Sequence, residues 1–147
     1  MATLKDKVYC IGGSPIANNE VYDICLDKWS TTCNMLEQRS EHALVATDSR
    51  LIAIGGRTKK GNVFTTEYYD PRMKGWMKYV DMPIRSRGFT ASELQGEIYL
   101  VGGCLVNRLQ YDKDLVYEVY ILDQRSNKWR LGPEAPVSRM NGYSISL

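Results

Sequence analysis

Short apolar runs recur along this chain, and each is cut off by glycine, aspartate, asparagine or serine before helical periodicity can last three turns. The runs at 8–11, 51–54 and 98–101 read as buried strands, and each leads directly into a glycine pair: Gly12-Gly13, Gly55-Gly56 and Gly102-Gly103. Aromatic and β-branched residues at about 20–25, 64–69 and 116–122 predict a second kind of strand. A third, short strand is expected to start near each tryptophan. A fourth is expected at about 42–47 and 89–94, with a further copy at 142–147. Turn signals fall between them at Asp48-Ser49, Gln95-Gly96, Asp27-Lys28, Pro71 to Gly75 and Ser126-Asn127. The pattern predicts an all-β chain.

The strands repeat as a unit. The glycine pairs are 43 and 47 residues apart. Trp29, Trp76 and Trp129 each stand six residues after an aspartate, Asp23, Asp70 and Asp123, and each aspartate follows Tyr22, Tyr69 or Leu122. Beyond each tryptophan a segment ends in arginine: Met35 to Arg39, Met82 to Arg87, Ala135 to Arg139. Four landmarks in one order, three times over, identify a repeat protein. The distance from the second glycine to the tryptophan grows from 16 to 20 to 26 residues, so insertions collect in one loop class, and such loops commonly share a binding face. The three tryptophans, with Tyr22 and Tyr69, are expected to plug the core between units. The aspartates are expected to cap turns.

Charge and composition narrow the function. A net charge of +2 over 147 residues argues against a general nucleic-acid or membrane-surface role. Positive charge is nevertheless gathered between Arg57 and Arg87, where eight basic residues face three acidic ones. No signal-peptide pattern and no apolar run of membrane-spanning length occurs, and Cys10, Cys25, Cys33 and Cys104 form no CxxC pair. Free cysteines fit an intracellular, cytoplasmic protein. The single histidine, His42, can complete neither a metal cluster nor a nucleophilic triad, and no phosphate-binding glycine loop is present. The expectation is a binding module with no metal, no cofactor and no catalytic residues.

Val8-Tyr-Cys-Ile-Gly-Gly, Glu67-Tyr-Tyr-Asp-Pro-Arg-Met-Lys-Gly-Trp76 and Gly96-Glu-Ile-Tyr-Leu-Val-Gly-Gly103 resemble the kelch repeat over nearly the whole chain. The closest subgroup looks like the kelch-like adaptors, which pair BTB and BACK domains with a kelch propeller and serve cullin-3 ubiquitin ligases. Departures are Leu122 for tyrosine, Ala135-Pro136 for Met-Pro, and Met35-Leu36 in the first repeat. The resemblance implies four-stranded antiparallel blades of a β-propeller. The units are strands b to d of a first blade at 1–38, a second blade at 39–84, a third at 85–138, and one strand of a next blade at 139–147. That is about three blades where the family usually has about six, an incomplete ring. A fragment of a longer protein is the first expectation, self-association of half-rings another.

The resemblance also implies which residues meet a partner. In kelch-like receptors, ligands meet the loops that follow the glycine pair and those that precede the first strand. In this chain those positions are Ser14, Arg57, Lys59 and Cys104, and then Ser40, Glu41, Ser86, Arg87, Met140 and Asn141. Arg57, Lys59 and Arg87 together would suit an acidic peptide. The implied function is protein recognition, as the substrate arm of a cullin-3 adaptor or as an actin-binding, cytoskeletal scaffold.

Overall fold

The computed structural model describes residues 1–13, 18–105 and 114–142. Three antiparallel sheets follow one another along the chain. The first comprises β1 (Ala2–Leu4), β2 (Lys7–Cys10), β3 (Glu20–Asp23) and β4 (Lys28–Thr31), in spatial order β1-β2-β3-β4. The second begins with β5 (Ala43–Ala46) and β6 (Leu51–Ile54). A small hairpin of β7 (Arg57–Thr58) and β8 (Gly61–Asn62) then intervenes, and β9 (Thr66–Asp70) and β10 (Gly75–Lys78) complete the order β5-β6-β9-β10. The third contains β11 (Ser86–Leu94), β12 (Glu97–Leu105), β13 (Asp114–Leu115), β14 (Tyr120–Asp123) and β15 (Lys128–Leu131), ordered β11-β12-β14-β15 with β13 on β12. Strand β5 packs beside both β1 and β11, so the first strands of the three sheets are neighbours. The chain is an all-β run of propeller blades that does not close into a ring.

One strand was hidden in the sequence. The first blade is expected to begin at its second strand, yet Ala2–Leu4 pairs with Lys7–Cys10 in the register Ala2↔Tyr9, Thr3↔Val8 and Leu4↔Lys7. The first sheet is therefore four-stranded. What this end of the molecule leaves open is a sheet face, not an unpaired strand within the blade. The strand expected at 142–147 lies, beyond its first residue, outside the described residues.

Register explains the repeat. Val8 pairs with Tyr22 and Tyr22 with Trp29; Leu51 with Tyr69 and Tyr69 with Trp76; Ile98 with Leu122 and Leu122 with Trp129. Each trio is a row across one face of its sheet, because directly paired residues of neighbouring strands share a face. In the second and third sheets these rows are core. Leu51, Ala53, Tyr69 and Trp76 pack with Leu4, Tyr9, Ile11 and Met35 of the first sheet and its exit. Ile98, Leu100 and Leu122 pack with Val45, Ile52, Ile54 and Met82, with Trp129 against them. Each blade thus buries one face against its predecessor.

The tryptophans also bind the preceding chain. Trp76 Nε1 donates to the Cys33 carbonyl at 3.0 Å and Trp129 Nε1 to the Val80 carbonyl at 3.4 Å. Trp29 departs from the expected core role. It stacks on Tyr22 with centroids 5.3 Å apart but is 53% exposed, since no other sheet among the described residues packs over it. The aspartates cap turns as expected. Asp23 Oδ1 accepts from the amides of Cys25 and Leu26, Asp70 Oδ1 from that of Arg72, and Asp123 Oδ1 from those of Arg125 and Ser126.

The glycine pairs act at close approach. Gly12, Gly56 and Gly102 have φ of 69°, 98° and 77°, and a Cβ on each would lie 2.5, 2.6 and 2.1 Å from the carbonyl oxygens of Arg39, Ser40 and Arg139. Only a residue without a Cβ admits that contact at positive φ.

Candidate partner-binding face

Two loop classes meet at one end of the sheets, and the positive-φ residues reveal their true alignment. Glu41, Gly88 and Asn141 all occupy the left-handed region, at φ 54°, 69° and 53°. Their backbones form a ladder from blade to blade: the Gly88 amide donates to the Glu41 carbonyl at 2.9 Å, and the Asn141 amide to the Gly88 carbonyl at 2.7 Å. Counting back two residues from each, Arg39, Ser86 and Arg139 are equivalent. Their carbonyls accept the amides of Gly13, Gly56 and Gly103 at 3.1, 3.0 and 2.7 Å. The equivalence of Arg39, Arg87 and Arg139 suggested by the sequence is therefore one residue out in the middle copy. The Arg85-Ser86-Arg87 triplet offers two arginines, and neither occupies the position of Arg39.

That one-residue offset sorts the candidate residues. Arg39 has no exposed side chain; its guanidinium reaches the Gly55 and Thr65 carbonyls at 3.2 and 2.6 Å and Glu67 Oε1 at 2.5 Å. Glu67 also accepts the amides of Leu36 and Glu37 at 2.7 and 3.1 Å. This is a structural clamp between the first and second blades. Ser86 is fully buried and donates from Oγ to the Cys104 carbonyl at 3.1 Å, while Cys104 itself is fully buried. Both side chains lie inside the protein, away from any partner.

The rest lie nearer the surface. Ser40 and Arg57 bond each other through their backbones, at 2.9 and 2.8 Å, joining the two loop classes within the second blade. Arg87 is not free to take an acidic group: its Nη1 donates to both carboxylate oxygens of Glu41, at 2.7 and 2.6 Å, across the blade boundary. Asn141 is exposed and Met140 half-buried, both beside Gly88. Ser14 lies outside the described residues.

Three further positive charges of this stretch stand together on the β7–β8 hairpin, while Lys74 and Lys78 lie exposed just before β10 and at its end. Arg57, Lys59 and Lys60 are exposed, and among the described residues their side chains have no ion-pair partner. Lys60 belongs to the same turn but is not singled out by position in the repeat; its adjacency to Lys59 was the available signal. Elsewhere in the basic stretch Arg72 pairs with Asp70, holding that carboxyl at about 2, and Arg85 lies over the Phe64 ring at 4.3 Å. Arg87 and Arg72 are thus neutralised, and the hairpin is where three unpaired cations fall within four residues.

His42 plays a structural part behind this face. Its Cε1 lies 2.7 Å from where a Cβ on Gly12 would stand, and its buried Nδ1 has no hydrogen-bond partner. Burial first, then the charges of Arg39 and the N-terminus, push its pKa down to about 3. It is neutral at physiological pH. No three His, Cys, Asp or Glu side chains group to hold a metal among the described residues, and no helix among them is long and apolar enough to cross a membrane.

The Kelch motif family model matches residues 38–83 and 85–136. Beta-scruin of Limulus polyphemus is 26% identical over 136 residues, covering 90% of this chain and 15% of its own length. Kelch-like protein 26 of Danio rerio is 32% identical over 111 residues, covering 69% of this chain and 18% of its own. This chain therefore spans less than a fifth of these curated relatives. The solved structure of YjhT superposes with a TM-score of 0.80 at 18% identity, over 92% of this chain and 49% of that one.

Proposed function

We propose, on the premise that this chain belongs to the kelch-motif family and is a kelch-type protein–protein interaction module, that its contact with a partner centres on the β7–β8 hairpin. The observation that carries this reading is the contrast between Arg87, tied to Glu41, and Arg57, Lys59 and Lys60, whose side chains have no ion-pair partner among the described residues. Exposed cations on a projecting turn suit an acidic protein surface and speed encounter with it. Ser40, Glu41, Met140 and Asn141 would form the neighbouring rim.

The scaffold reading is favoured over the ligase-adaptor reading. Beta-scruin and alpha-scruin match 90% and 86% of this chain, and exposed cations on a projecting turn suit the acidic surface of a filament. The test is co-sedimentation with actin filaments across a salt series. The double variant R57E/K59E should abolish pelleting that the parent shows at low salt, whereas Arg87→Ala should reduce it much less. Absence of pelleting by the parent at low salt sinks the actin reading.

The adaptor reading retains support from the kelch-like relatives and from the human Kelch repeat and BTB domain-containing protein 13, 30% identical over 106 residues. Cullin-3 contact would then run through BTB and BACK segments of a longer product. Recovery of cullin-3 with the intact gene product favours this reading, and its absence from that capture removes it.

A further inference from the structure

Glu41 stands where the backbone does not favour it. Its φ of 54° lies in the left-handed region, and the equivalent positions in the next two copies are Gly88 and Asn141, at 69° and 53°. Glycine has no Cβ to strain there and asparagine tolerates it, whereas glutamate adopts it rarely. The turn is held by main chain: the Gly88 amide donates to the Glu41 carbonyl at 2.9 Å, a bond that does not depend on the side chain at 41. The turn therefore does not need a glutamate, and a residue held in so disfavoured a conformation points to a role for its side chain.

That side chain reaches across the blade boundary to Arg87. Arg87 Nη1 serves both carboxylate oxygens, at 2.7 and 2.6 Å, so the contact is end-on and not the two-nitrogen fork that arginine makes with a well-placed carboxylate. Arg87 Nε is buried and has no hydrogen-bond partner among the described residues. The Arg87 and Glu41 side chains are still 16% and 33% exposed, so the pair is open to exchange with an acid from solution. It also stands beside the hairpin, because Ser40, next to Glu41, is bonded through its backbone to Arg57.

We propose that Glu41 is a built-in competitor for the acidic partner: it occupies Arg87 in the partner's place, and a partner carboxylate that displaces it adds Arg87 to Arg57, Lys59 and Lys60. This rests on the reading of the hairpin as the contact site. The partner is a protein segment with several carboxylates in succession. Once the hairpin holds part of such a segment, the next carboxylates are presented to Arg87 at high effective concentration, and a fork can replace the end-on contact. Until then Glu41 cancels the charge of Arg87 and repels approaching acid. Glu41 thus sets which acidic segments are accepted, and Arg87 is a cation held in reserve.

Fluorescence anisotropy of a labelled peptide of consecutive glutamates, titrated with the whole chain at low salt, tests this. Glu41→Gln should tighten binding about tenfold where Arg87 is present, because the freed guanidinium joins the contact. In the Arg87→Ala background the same change should gain at most about twofold, the effect of removing one negative charge through screening solvent. Circular dichroism on each variant confirms the fold. Equal gains in the two backgrounds overturn the proposal, because they reduce Glu41 to one charge in the general field. No gain in either background overturns it, and so does an E41Q chain that leaves the peptide unbound. Lys59→Glu tells this failure from that of the hairpin. If it weakens binding while Glu41→Gln gains nothing, the hairpin stands and the competitor falls. If it changes nothing while Glu41→Gln gains only through Arg87, the competitor stands and the hairpin falls.

Discussion

The second sheet and the first present the same side-chain row in opposite circumstances. Leu51, Tyr69 and Trp76 are sealed beneath the first blade, whereas Val8, Tyr22 and Trp29, at identical register, lie half-buried or exposed. The residue types barely differ. What differs is the neighbour, because burial in a repeat protein comes from the adjoining unit and not from the unit itself. A tryptophan that signals a core position in the repeat is a core residue only where a preceding blade supplies its carbonyl and its apolar contacts.

Truncation of the two tryptophans should break that symmetry most clearly. Trp76→Ala removes a buried ring and its bond to the Cys33 carbonyl, and should cost about 4 kcal/mol in urea unfolding. Trp29→Ala, measured in dilute protein, should cost under about 1 kcal/mol, because half of the ring is already in water. Equal losses would mean that the first sheet's outer face is covered in solution even when dilute.

The arginines sharpen the comparison next. Arg39→Ala leaves Glu67 buried with only the Leu36 and Glu37 amides to hold its charge, and should cost about 3 kcal/mol. Arg139→Ala removes an exposed side chain and should change the stability of the dilute chain by less than about 0.5 kcal/mol. If Arg139 matched Arg39 in dilute protein, its side chain would be buried against a partner carboxylate in solution and not exposed.

The strongest features of the fold were readable because each occurs three times. A glycine pair, an aspartate and a tryptophan carry little information singly, but their fixed order located the sheets, and the capped turns at Asp23, Asp70 and Asp123 followed from local chemistry. Ala2–Leu4 was not readable. Three residues carry no periodicity, and they form a strand only because β2 offers an edge. The site was less legible still. Arginines at both 85 and 87 made the repeat alignable two ways, and a shift of one residue exchanges buried with exposed positions along a strand. The structure decides it through the conformations of Glu41, Gly88 and Asn141 and places Ser86 inside. The loss of Arg87 to Glu41 is a contact between blades, which no reading of a single repeat contains.

The last comparison concerns His42, at the seam between the first two blades, whose effect is read as a slope against pH. Its pKa in the folded protein is about 3, against about 6.5 when unfolded. On acidification the unfolded chain therefore takes up the proton first. The stabilisation is fully present above about pH 6.5 and falls as pH drops toward 3, with a slope of up to about 1.4 kcal/mol per pH unit. Asp70, held at about 2 by Arg72, and Asp23, Asp123 and Glu97, held low by their hydrogen-bond donors, change stability only below about pH 5, so urea unfolding between about pH 5.5 and 6.5 isolates the histidine. His42→Phe should flatten the profile there. A slope that survives the substitution would assign the acid sensitivity to other groups and leave the histidine as packing alone.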